Sequence, residues 1–156
     1  MKVMDFLNKK AVSTDLKAKD KKGVIGELVD LLIKAGAIRP TEKASLIKTL
    51  LEREALGSTG IGSGIGIPHG KSPSVKNLVA AFGLSKEGVN FDSLDGEPAH
   101  IFFLLIAPEH SAGPHLKALA RISRLLKDKY FRDMLKNIKD NKTFLKVMSE
   151  EDQKRH

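Results

Sequence analysis

Two apolar runs, Leu78 to Leu84 and His100 to Ala107, constrain this chain more than any other feature. Each has the length of a strand and is almost continuously apolar instead of alternating. An alternating strand can leave one face in water, whereas a continuous one needs cover on both faces. Candidate cover lies on either side in sequence. Asp20 reads as the N-cap of a helix reaching about Ala35, with Val24, Leu28, Leu31 and Leu32 on one side and Gly36 as its stop. Thr41, after Pro40, opens a second helix whose stripe is Leu46, Ile47, Leu50 and Leu51; Arg53 lies near its end and Gly57 breaks it. Downstream, Pro114 stands where the first turn of a helix tolerates proline, and Leu116, Leu119, Ala120, Leu125 and Leu126 keep a helical rhythm. Further helices are predicted near Tyr130 to Ile138 and Thr143 to Met148. Between the two strands, Phe91-Asp92-Ser93-Leu94-Asp95-Gly96 is a turn-rich connection. Helices before and after a central set of strands predict an α/β fold, a three-layer α/β/α domain. With 156 residues the chain reads as one domain over residues 1–149, followed by a highly charged tail, residues 150–156, expected to fray.

The chemistry concentrates between the second helix and the first apolar strand, in Ser58-Thr59-Gly60-Ile61-Gly62-Ser63-Gly64-Ile65-Gly66-Ile67-Pro68-His69-Gly70-Lys71. A single histidine, fixed by a preceding proline and flanked by glycine, is presented where another molecule can approach the backbone. Histidine is a competent covalent nucleophile and is largely neutral near pH 7. Register excludes the common glycine-loop alternatives. A P-loop needs glycine five positions before Gly70-Lys71-Ser72, but Ile65 stands there and Pro73 follows at once. A dinucleotide fingerprint needs glycines two and then three apart, whereas Gly60, Gly62, Gly64 and Gly66 fall at every second position. Zinc is disfavoured: there is no cysteine, and His69, His100, His110, His115 and His156 show no tight ligand spacing. No metal or organic cofactor is expected.

These segments resemble the enzyme IIA domains of the bacterial phosphotransferase system, fructose/mannitol type. The resemblance runs through Arg53-Glu54, Ser58-Thr59-Gly60-Ile61-Gly62 and Gly66-Ile67-Pro68-His69-Gly70. It resumes at Phe91-Asp92-Ser93-Leu94-Asp95-Gly96, Pro108-Glu109 and His115-Leu116-Lys117-Ala118-Leu119-Ala120, so it covers essentially the whole chain. Gly57 to Gly62 and His69-Gly70-Lys71 look most like the nitrogen-related, regulatory branch. One departure is Gly66, where alanine is usual, expected to loosen the local backbone. The resemblance implies a mixed sheet with helices on both faces. It implies that His69 is phosphorylated through Nε2, and that Arg53 and His115 lie beside it. Thr59 and Lys71 are further candidates for holding the phosphoryl group. Read from the residues alone, a loop histidine can simply cap a turn, Arg53 can serve the dipole of its helix end, and His115 can sit at a helix surface.

Charge adds a second question. The formal net charge is +8, and Lys117, Arg121, Arg124, Lys127, Lys129, Arg132, Lys136, Lys139, Lys142 and Lys146 carry much of it. These residues read either as a solvated helical face or as a docking surface for an acidic or phosphorylated partner. Nucleic-acid binding is disfavoured, because the chain has only one Tyr and no Trp to stack on bases. No apolar run approaches a membrane span, and the N-terminal residues lack a secretory pattern, so a cytoplasmic protein without direct membrane insertion is expected.

The mechanism implied is phosphoryl relay. A histidine phosphocarrier protein, or its nitrogen-related paralogue, would donate to His69. The recipient would be a IIB domain or a regulatory protein whose docking changes with the added charge. The leading expectation is a regulatory phosphocarrier, because no IIB or IIC segment is seen. A sugar-specific IIA subunit and a non-catalytic binding module are the alternatives. His100 is expected to pack, His110 to lie at the surface and His156 to be solvated.

Overall fold

A computed structural model describes residues 1–154. The first strand, β1 (Leu7–Ser13), follows a short turn of 3-10 helix at Val3–Asp5. Helices α1 (Lys21–Lys34) and α2 (Lys43–Ala55) come next, then the short strands β2 (Gly60–Gly62), β3 (Ile65–Gly66) and β4 (His69–Lys71). The long strands β5 (Val79–Val89) and β6 (Ala99–Ala107) precede α3 (Ala112–Leu126), α4 (Lys129–Lys136) and α5 (Asn141–Lys154).

Asp20 caps α1 as its position predicts, its carboxylate accepting from the Gly23 N–H, and Gly36 ends the helix at φ +81°. The two apolar runs become β5 and β6, paired antiparallel from Val79↔Ile106 to Leu84↔Ile101. They are the centre of a mixed six-stranded sheet in the order β1-β5-β6-β3-β2, with β4 also pairing β6. β1 runs parallel to β5, and both β3 and β4 run parallel to β6.

Strand periodicity sorts the apolar residues into two cores. On one face, Ala80, Phe82, Leu84, Ile101, Phe103 and Leu105 pack with Ile122, Leu125, Phe131, Leu135, Phe144 and Met148 from α3, α4 and α5. On the other, Ala81, Phe102, Leu104 and Ile106 pack with Val24, Leu28, Leu32, Leu46 and Leu50 from α1 and α2. Successive side chains of one strand feed opposite layers, and Ala80 to Leu84 and Ile101 to Ile106 accordingly carry no polar side chain. The result is the three-layer α/β/α arrangement.

The structure departs from the sequence reading in five places. β1 has no counterpart there: Asn8-Lys9-Lys10 interrupts its apolar pattern, and its place is set by pairing with β5. The glycine segment is largely strand instead of open loop. Gly62 pairs with Ile65 across Ser63-Gly64, whose φ values of 57° and 77° are both positive, as in a type I′ hairpin. Gly66 does not loosen the backbone: a Cβ there would lie 2.9 Å from the Phe102 ring, so glycine makes room for β6. The charged tail is not frayed over its described part. α5 continues to Lys154, with Glu151 and Asp152 buried. Finally, Leu116 faces solvent, and Arg121 is buried instead of joining the basic face.

Candidate functional site

His69 opens β4 opposite Leu105 near the C-terminal end of β6. β6 runs on through Ala107 into the turn that begins α3, so the first turn of that helix returns beside β4. This brings His115 to His69, with ring centroids 5.4 Å apart and planes at 79°. The end of α2 closes the other side. Thr49, Glu52, Arg53, Leu56, His69, Gly70, Lys71 and His115 line one open cleft of about 620 Å³. Of the five site residues read from sequence, four therefore meet: Arg53, His69, Lys71 and His115.

Thr59 does not line this cleft. It is buried, its N–H lies 3.1 and 3.3 Å from the Glu54 carboxylate oxygens, and its hydroxyl donates to the same group. It therefore ties the glycine segment to the end of α2 and has no free donor directed at the cleft. In the sequence Glu54 stands out only as the neighbour of Arg53. Its burial at a helix end, five positions before a threonine, is the signal that marks it as a structural anchor.

The imidazole of His69 is oriented by its own chain. Nδ1 lies 2.7 Å from the Ile67 carbonyl, which can only accept, so Nδ1 carries the proton and Nε2 keeps a lone pair in the neutral ring. Burial pushes the His69 pKa below the usual histidine value; the Ile67 bond opposes that shift, Arg53 adds to it and Glu54 opposes it. The His115 pKa is likewise lowered, by burial first and then by His69 and Lys71. Both rings are thus held neutral near pH 7. His115 Nε2 is buried without a hydrogen-bond partner, a state that invites a ligand atom. Arg53 donates Nη1–H to the Gly57 carbonyl at 2.8 Å, which holds the guanidinium at the rim.

The other histidines are elsewhere. His100 is half-buried and donates from Nδ1 to the Ser85 carbonyl at 2.9 Å, and His110 is exposed. The expectation for His156 lies outside the described residues. Of the basic residues, Lys117, Arg124, Lys127, Lys129, Lys136, Lys139, Lys142 and Lys146 are exposed, while Arg132 donates to the carbonyls of Leu126 and Lys127 at the end of α3. Among the described residues no helix is long and apolar enough to cross a membrane. No group of three or more potential metal-ligating side chains converges there either.

A neutral histidine with a free lone pair, set among an arginine, a lysine and a second histidine, has the chemistry to act as a nucleophile toward an anionic group. The chain belongs to the family described as the phosphoenolpyruvate-dependent sugar phosphotransferase system, EIIA 2, whose family model matches residues 5–151, and it has that family's phosphotransfer carrier role. It is 39% identical over 152 residues to the PTS system fructose-specific EIIABC component of Bacillus subtilis, covering 97% of this chain and 24% of that one. It spans, in other words, about a quarter of that relative. It is 36% identical over 149 residues to the nitrogen regulatory protein of Bradyrhizobium diazoefficiens, covering 96% and 95% of the two chains. The crystal structure of nitrogen regulatory protein IIA-Ntr from Neisseria meningitidis superposes with a TM-score of 0.83 at 30% identity, over 92% of this chain and 97% of that one.

Proposed function

We propose that His69 is the phosphoryl acceptor and donor of a nitrogen-related regulatory IIA protein. The observation that carries this reading is the Nδ1–H bond to Ile67, which leaves Nε2 as the nucleophilic nitrogen of a neutral ring beside Arg53 and His115. A histidine phosphocarrier protein docks over the cleft, where Leu56, 85% exposed, offers an apolar contact. The His69 Nε2 lone pair attacks phosphorus in line, the phosphorus–nitrogen bond of the donor breaks, and the donor imidazole retains that electron pair. His69 keeps its Nδ1 proton throughout, so no general base is needed.

Such a transfer is catalysed mostly by positioning and by charge placed on the three equatorial oxygens. Arg53 supplies that charge with a fork that can hold two oxygens at once, and Lys71 adds a point charge. His115 Nε2, protonated in the tautomer that donates, fills its empty hydrogen-bond position with a phosphoryl oxygen. Thr59 acts through Glu54 and not on phosphate. The phosphorylated site then carries about two added negative charges, enough to change which regulatory partner binds. Similarity over nearly the full length of the Bradyrhizobium relative supports the regulatory destination. The 39% identity to the fructose-specific relative supports a second destination, a IIB domain of a sugar transporter.

Intact mass tests the shared chemistry. After incubation with phosphoenolpyruvate, enzyme I and the histidine phosphocarrier, the protein should gain one acid-labile, alkali-stable phosphoryl group, and His69→Ala should gain none. Failure of the wild-type protein to gain it, with the donor shown active on a control, refutes the carrier reading. Rapid, saturable delivery to one IIB domain would select the sugar-transport destination over the regulatory one.

A further inference from the structure

Lys21, the first residue of α1, lies outside the cleft yet joins the segments that build it. Its Nζ is 3.1 Å from Glu54 Oε1 and 3.1 Å from Asp92 Oδ2, and it sits 5.0 Å from the centroid of the Phe91 ring. The Glu54 side chain is only 4% exposed and that of Lys21 18%. Glu54 in turn holds Thr59, while Ser58 Oγ donates to the Phe91 carbonyl at 2.5 Å and accepts from the Gly60 N–H at 2.9 Å. The start of α1, the end of α2, the glycine segment and the β5–β6 connection are thus pinned through one ammonium group. Arg53 precedes Glu54 directly and faces the other way, into the cleft.

We propose that Lys21 is a positioning residue for the reaction at His69, neutralising the buried Glu54 carboxylate and fixing the corner that aims Arg53 and His69. The inference rests on His69 being the phosphoryl acceptor. A carboxylate taken out of water is strongly disfavoured unless it is paired. An uncompensated Glu54 would also act on the chemistry. It would repel the incoming phosphoryl group, and it would favour the protonated His69 that cannot attack. Glu54 is in fact one of the groups that push His69 upward. The other titratable or charged groups facing the ring are Glu52 and Arg53 from α2, Lys71 from β4 and His115 from α3. Lys21 gives up no proton and touches no reacting atom; the phosphorus–nitrogen bonds made and broken are those already stated.

The test compares Lys21→Met, Lys21→Arg, Glu54→Gln and the double variant Lys21→Met/Glu54→Gln. His69 is titrated by heteronuclear NMR in the unphosphorylated protein, and initial phosphoryl uptake from the histidine phosphocarrier is measured separately. Lys21→Met should move the His69 titration to higher pH and slow uptake about tenfold, a barrier change of about 1.4 kcal/mol. Lys21→Arg should remain near wild type on both readouts. The double variant should regain the wild-type titration and most of the rate. Glu54→Gln, which leaves Lys21 unopposed, should move His69 to lower pH, and it carries the test if Lys21→Met does not fold. A His69 titration unmoved in folded Lys21→Met or in Glu54→Gln overturns the proposal, as does a double variant as slow as Lys21→Met. Because the titration needs no donor, a wild-type protein that takes up no phosphate refutes the carrier reading separately.

Discussion

Among the described residues, the ion pairs Arg121–Asp152 and Lys21–Glu54 each hold a buried carboxylate, and they have different duties. Arg121 Nη2 lies 3.0 Å from Asp152 Oδ1, with side chains 6% and 1% exposed. Asp152 also accepts from the backbone N–H groups of Val3 and Met4 at 3.0 and 2.8 Å, and its carbonyl accepts from Arg121 at 2.7 Å. That pair sews the N-terminal turn to α3 and α5. Lys21–Glu54 has a similar bond length, but its carboxylate anchors the segment that presents His69. One pair ends in backbone amides and the other in the glycine segment that leads to His69. A buried ion pair is by itself weak evidence for net stability, so what each pair orients matters more than its Coulomb energy.

The largest effect expected from breaking this contrast is in stability. Asp152→Ala removes the charge partner of the Arg121 guanidinium and the acceptor of two backbone donors, and should cost about 3–5 kcal/mol in denaturant unfolding. Phosphoryl uptake per folded molecule should stay near wild type. A comparable loss of uptake would show that the two regions are coupled after all.

Arg53→Lys should do the reverse. A half-buried helix-end residue that makes one side-chain bond to Gly57 contributes little to stability. Lysine keeps the charge and loses the two-pronged grip, so uptake should fall about tenfold, close to 1.4 kcal/mol in barrier, with an unchanged unfolding midpoint.

The smallest effect uses pH. His69 and His115 both have pKa values lowered by burial. From the ordinary histidine value of about 6.5 down to those lowered values, the unfolded chain binds more protons than the folded one. Stability is therefore full above that window and declines as pH falls through it. Urea midpoints should drop on acidification from about pH 7 to about pH 5, and His115→Gln should flatten the drop. A slope that survives loss of both histidines would contradict the assignment.

How far the sequence could be read follows from how local each determinant is. The Asp20 cap, the Gly36 stop and the period of the α1 and α2 stripes are local, and they appear where their spacing placed them. β1 was invisible because its apolar residues are interrupted by Asn8, Lys9 and Lys10, and only β5 makes it a strand. The end of α5 misled for a related reason. Glu150-Glu151-Asp152 has the composition of a solvated tail, yet Arg121, thirty-one positions away, buries Asp152. The family pattern points to Arg53, His69 and His115; of the two further phosphate candidates Lys71 lines the cleft, whereas the Thr59 hydroxyl is spent on Glu54, which only the fold reveals.

By itself, then, the sequence determined that this protein is layered, and it singled out one histidine as the candidate for its chemistry. Continuous apolar strands demand cover on both faces, and the glycine and proline positions restrict the backbone around His69 directly. Only the tertiary structure decided which tautomer His69 holds, which ring stands beside it and which ammonium group neutralises the carboxylate behind it. Those features depend on hydrogen bonds and burial between segments far apart in the chain, and such distances exist only once β4, β6, α1 and α3 have packed.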